Sequence, residues 1–78
     1  MKITIDTQAK AAYLKIKDGT PVLTKEILPE VFVDFDSKKN ILGIELISPC
    51  TLTLRKVAQK LHLPILNKYK KPLQEICS

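Results

Sequence analysis

The stretch "VFVDFDSKKNILGIELI", residues 31–47, decides the fold. In "VFVDFD", Val31, Val33 and Phe35 alternate with Phe32, Asp34 and Asp36, and a period of two belongs to a strand whose faces see different surroundings. "SKKN" supplies turn residues. "ILGIELI" then runs back with Leu42, Ile44 and Leu46 on one face and Gly43 and Glu45 on the other. Two such runs around a short polar turn make an antiparallel hairpin. Asn40 is the residue expected to turn left-handed at the hairpin exit, because a short polar side chain tolerates that conformation. Gly43 in mid-strand predicts a bulge or the close approach of a large neighbour such as Phe32.

The same rhythm extends towards the N-terminus. "KITID" places Ile3 and Ile5 on one face and Lys2, Thr4 and Asp6 on the other. "TQAKAA" interrupts it as a short helical turn or loop, after which "YLKIK" alternates Leu14 and Ile16 with Tyr13, Lys15 and Lys17. Asp18-Gly19 ends that strand as a hairpin dipeptide, with glycine accepting a positive φ. Pro21 starts "PVLTKEIL", where a missing N–H does least harm at an edge or first position, and Pro29 closes it. Residues 1–48 therefore read as four to five short antiparallel strands with one apolar face.

Those segments carry a likeness. "MKITID" at 1–6, "AYLKIKDG" at 12–19, "TKEI" at 24–27, "VFVDFD" at 31–36 and "NILGIEL" at 40–46, taken in order, resemble the small prokaryotic family of unknown function numbered 2283. The likeness covers about the first 48 residues. It implies a compact antiparallel sheet with a C-terminal helix and no assigned activity. Members of that family are sometimes encoded beside small toxin-like proteins, so the resemblance also implies an antitoxin-like or partner-binding role. Two departures stand out. The family commonly has glycine before the asparagine of the last hairpin, where this chain has Lys39, and the tail beyond Pro49 is longer and more basic than the pattern requires.

Charge separates the two parts of the chain. Residues 1–50 hold seven lysines against seven carboxylates, whereas residues 51–78 hold Arg55, Lys56, Lys60, Lys68, Lys70 and Lys71 against Glu75 alone, so the whole net charge of +5 lies in the tail. Such asymmetry suits an acidic partner, nucleic acid or protein, and equally suits a solvated helix face. Within "LTLRKVAQKLHLP", residues 52–64, Leu54, Val57, Ala58 and Leu61 recur at steps of three and four. That stripe predicts an amphipathic helix ending near Leu61, with Thr51 or Thr53 as N-cap and Arg55, Lys56, Gln59 and Lys60 turned away from the sheet. Packed on Ile3, Ile5, Leu14, Ile16, Val33, Leu42 and Ile44, it gives an α+β domain: a small antiparallel sheet with a C-terminal helix on one face. Residues 49–78 are the basic helical tail of this single domain.

A helix-turn-helix needs a second helix, and Pro72 stops the run from Pro64 after about two turns, with only Asn67 and Lys68 as polar groups near its start. Tyr69 between Lys68 and Lys70 fits a core or interface ring better than a base-stacking platform. Asp34 and Asp36, with Glu45 on the returning strand, would bring three carboxylates to one end of the hairpin, enough to interest a hard cation. Pairing of those carboxylates with Lys38, Lys39 or Lys15 is the plainer expectation. Cys50 and His62 are a thiol and an imidazole without an orienting carboxylate nearby in sequence, and His62 at a helix end serves the terminal carbonyls. We therefore expect no catalysis, no cofactor and no resident metal. The two cysteines, Cys50 and Cys77, read as free thiols.

No segment approaches the ~18 apolar residues of a membrane span, and the start "MKITIDTQAK" has no apolar run of a signal peptide. A cytoplasmic protein is expected. At 78 residues a lone core is marginal, which favours self-association. Phe32, set between aspartates, and Tyr13, opposite in facing to Leu14, are the candidate residues for a homodimer. The expected function is protein interaction, with nucleic-acid binding through Arg55, Lys56, Lys60, Lys68, Lys70 and Lys71 as the rival.

Overall fold

The computed structural model describes residues 2–48 and 51–62. Its elements are β1 (Lys2–Asp6), β2 (Ala11–Lys15), β3 (Leu23–Leu28), β4 (Val31–Phe35), β5 (Ile41–Ile47) and α1 (Thr51–Leu61). The strands form one antiparallel sheet in the order β1-β2-β5-β4-β3. The hairpin of residues 31–47 lies at its centre, so β5 is hydrogen-bonded on both sides.

Register turns the alternation into rows. Ile3, Leu14, Ile44, Val33 and Lys25 stand side by side on one face, and Ile5, Ala12, Leu46, Val31 and Leu28 form the next row. Leu14, Val31, Val33, Ile44 and Leu46 are wholly buried, and Val57 and Ala58 of α1 join the same cluster. Burying one such aliphatic side chain contributes about 1.5–3 kcal/mol. Arg55, Lys56, Gln59 and Lys60 are exposed.

Several expectations need correction. Asp18-Gly19 does not close a hairpin: β2 pairs with β1 and β5, and β3 pairs only with β4. Residues 16–22 instead cross the end of the sheet, with Ile16 N and Lys17 N donating to Leu42 O at 2.8 and 3.1 Å and Val22 N to Phe35 O at 2.9 Å. Asp-Gly is only a local signal, and here long-range pairing sets the path. Neither glycine has a positive φ; among the described residues the left-handed ones are Lys10, Glu30, Lys39, Ser48 and His62, all at element ends or turns.

At the central hairpin the left-handed residue is Lys39 (φ 66°), not Asn40. A three-residue loop commonly ends on a residue in that region, and Asp36 fixes the loop by accepting from Lys38 N (2.8 Å) and Asn40 N (2.9 Å). Asn40 serves as a donor instead, its Nδ2 reaching Asp36 Oδ2 at 3.1 Å. A register shift between Asp34 and Phe35 leaves Leu42 without a partner residue on β4. Leu42 is still buried, yet stands outside the main cluster, and its Cδ2 lies 2.9 Å from where a Cβ on Gly19 would be. Thr51 and Thr53 fall inside α1, so neither is the N-cap; the preceding position lies outside the described residues. His62 follows the helix at φ 56° and its backbone N donates to Gln59 O at 3.3 Å.

Candidate functional site

The second face of the sheet is built by the alternate residues of the same strands. One row runs Thr4, Tyr13, Glu45, Phe32 and Glu26 across all five strands, and the next runs Lys2, Lys15, Gly43, Asp34 and Thr24. Among these ten, only Gly43 is buried, and Tyr13, Phe32 and Asp34 are half-buried.

Gly43 explains how Tyr13 lies. A Cβ at that position would collide with the Tyr13 hydroxyl and with the ring atoms next to it, so the absent side chain leaves the space the ring occupies. The neighbour foreseen there was Phe32; the one found is Tyr13, which reaches diagonally across β5. Its hydroxyl donates to Asp34 Oδ2 at 3.1 Å, while Thr24 Oγ1 donates to Asp34 Oδ1 at 2.6 Å. Burial of the ring, followed by the hydrogen bond to Asp34 and the charges of Asp34 and Glu45, raises the Tyr13 pKa above its usual value of 10.0.

The three carboxylates considered for a cation do not converge. Asp34 holds Tyr13 and Thr24, and Glu45 sits between Phe32 and Tyr13 in the row. Asp36 belongs to the turn, where the backbone N–H of Asn40 above all, then its side chain, holds the carboxyl below the usual aspartate value. The hydrogen-bond partners of Asp34 and Asp36 are hydroxyls and amides rather than the lysines expected. Among the described residues no three His, Cys, Asp or Glu side chains gather as a metal site.

Of the candidate contact residues, Tyr13 and Phe32 share one row, separated by Glu45. Arg55, Lys56 and Lys60 are exposed on α1, whereas Lys68, Lys70 and Lys71, like Tyr69, Cys50 and Cys77, lie outside the described residues. Two features escaped the sequence reading. The Asp34–Tyr13–Thr24 group joins residues from three strands, and the pairing of Lys2 with Lys15 depends on register; only the alternation of Gly43 with Glu45 hinted at the first. No helix among the described residues is long and apolar enough to cross a membrane.

The family model described as Protein of unknown function (DUF2283) matches residues 2–48, which are the whole sheet and more than half of the chain. No curated protein and no solved structure matches.

Proposed function

The chain belongs to DUF2283, and on that premise we propose a small, non-catalytic protein-interaction module that works as a homodimer through the second face of its sheet. The observation that carries this reading is the row in which Tyr13 and Phe32 flank Glu45, two half-buried aromatic residues on the face of the sheet opposite the core. In this reading α1 is an amphipathic cover: Val57 and Ala58 close the core face while its basic residues meet solvent. The second face is then the surface left for a partner. Aromatic side chains bury large areas on association at small entropic cost, and a chain this short gains stability from a second copy. A cytoplasmic setting fits such a module, and the partner protein of a two-protein regulatory pair would compete for the same face.

Replacing Phe32 with Asp tests this. Light scattering is expected to give twice the mass of one chain for the parent and the mass of one chain for Phe32→Asp, with the circular dichroism of both alike. A parent that is monomeric overturns the dimer, and a variant that stays dimeric overturns its assignment to this face.

A second reading rests on the exposure of Arg55, Lys56 and Lys60 on α1. Lysine and arginine contact phosphates without reading sequence, and Lys68, Lys70 and Lys71 would add to that charge. Fluorescence anisotropy against mixed-sequence duplex and single-stranded DNA decides it. Binding that persists at near-physiological salt and is abolished by Lys56→Glu with Lys60→Glu supports the nucleic-acid reading; its loss on modest salt addition removes it.

A further inference from the structure

We propose that the hollow at the open end of β1 and β2 binds the diphosphate group of a small phosphorylated molecule. Lys2, Lys15, Ile16, Lys17 and Asp18 line this hollow, whose volume is about 290 Å³. Lys2 and Lys15 are register partners on adjacent antiparallel strands. Their side chains leave the same face from Cβ atoms ~5 Å apart, and like charges set directly opposite one another destabilise a sheet. The frame around them is fixed. Ile16 N and Lys17 N both donate to Leu42 O, which holds the start of the crossing segment against β5 and keeps Lys17 at the rim.

Neutralisation within the protein is incomplete. Asp18 reaches Lys15 alone, Nζ to Oδ1 at 2.6 Å, in the only ion pair among the described residues. Among the lining residues three ammonium groups stand against one carboxylate, and Asp36 of the neighbouring turn answers Lys17 only through its charge, without an ion pair; the shared ligand chemistry that answers the remaining positive charge is a compact oxyanion with two or more negative charges. A diphosphate supplies that charge and enough acceptor oxygens to meet all three lysines at once, as charge-assisted hydrogen bonds require. Its source is either free pyrophosphate or the end of a nucleotide such as ADP.

The test is a titration of the ¹⁵N-labelled full chain with inorganic pyrophosphate and, separately, with ADP, followed by backbone amide shifts at constant ionic strength. The expected result is saturable shifts of Lys15, Ile16 and Lys17 with both ligands; additional shifts elsewhere with ADP alone identify a nucleotide as the source. Lys2→Gln is expected to weaken pyrophosphate about tenfold, the loss of one charge-assisted contact, and Asp18→Asn to tighten it severalfold by removing the competing carboxylate. Lys17→Gln, off the strands, repeats the Lys2 test without touching the sheet. If the lysines are only structural, neither Lys2→Gln nor Asp18→Asn changes the affinity. Shifts that follow added chloride equally, or that centre on Arg55, Lys56 and Lys60, overturn the proposal.

Discussion

The two faces of the sheet are cut from the same strands and bury very different amounts. On one, Leu14, Val31, Val33, Ile44 and Leu46 are fully withdrawn from water together with Val57. On the other, the residues that alternate with them form two rows in which only Gly43 is buried. The first face is held by the amount of apolar surface it removes, which is insensitive to any single contact geometry. The second is organised by one specific arrangement, Tyr13 lying over Gly43 with its hydroxyl on Asp34. Bulk burial gives the fold its stability, and a few directional contacts shape the opposite surface.

That contrast is testable at single positions. Ile44→Ala, at the middle of the core face, is expected to cost about 2–5 kcal/mol in urea denaturation, the transfer and cavity loss of a fully buried aliphatic side chain. In a domain this small such a loss is a large part of the whole stability, and a cost comparable to that of surface substitutions would break the contrast. Gly43→Ala, directly beside it on the other face, adds one methyl where Tyr13 lies. Overpacking of this kind costs about 1–3 kcal/mol, and it should also displace the Tyr13 hydroxyl from Asp34. A double-mutant cycle then sharpens the point: Tyr13→Phe is expected to cost less in the Gly43→Ala background than in the parent, since the hydrogen bond it removes is already broken.

The smallest effect belongs to neither face. Lys39 occupies the left-handed region at φ 66°, where a Cβ costs about 1–2 kcal/mol, and glycine at that place relieves the strain while giving the unfolded chain more freedom. Lys39→Gly is therefore expected to raise the denaturation midpoint slightly, by a net gain under about 1 kcal/mol. A fall in the midpoint would show that the Lys39 side chain does something the turn geometry does not demand.

The strands and the helix were legible because their signals are periodic and local. β5 and the end of α1 at Leu61 match the reading of "ILGIELI" and of the apolar stripe. The hairpin assigned to Asp18-Gly19 was not recoverable in that way, because the same dipeptide serves a turn or a crossing segment according to which strands pair far along the chain. The left-handed role given to Asn40 failed for a related reason. Residue preference favours asparagine, but the hydrogen bonds of Asp36 fix the loop so that Lys39 must take the left-handed place. Tyr13 and Phe32 were both candidates from sequence; that Glu45 stands between them, and that Asp34 holds Tyr13 instead of a lysine, came only with the register.

By itself the sequence determined an antiparallel sheet with one apolar face, a short α-helix after it and a basic C-terminal third, because alternation, helical periodicity and charge are properties of neighbours along the chain. Only the tertiary structure decided the strand order β1-β2-β5-β4-β3, the rows it creates, the seat of Tyr13 over Gly43 and the meeting of Lys2 with Lys15. Those depend on which residues become neighbours through space, and the choice is made by burying the core as a whole rather than by any short stretch.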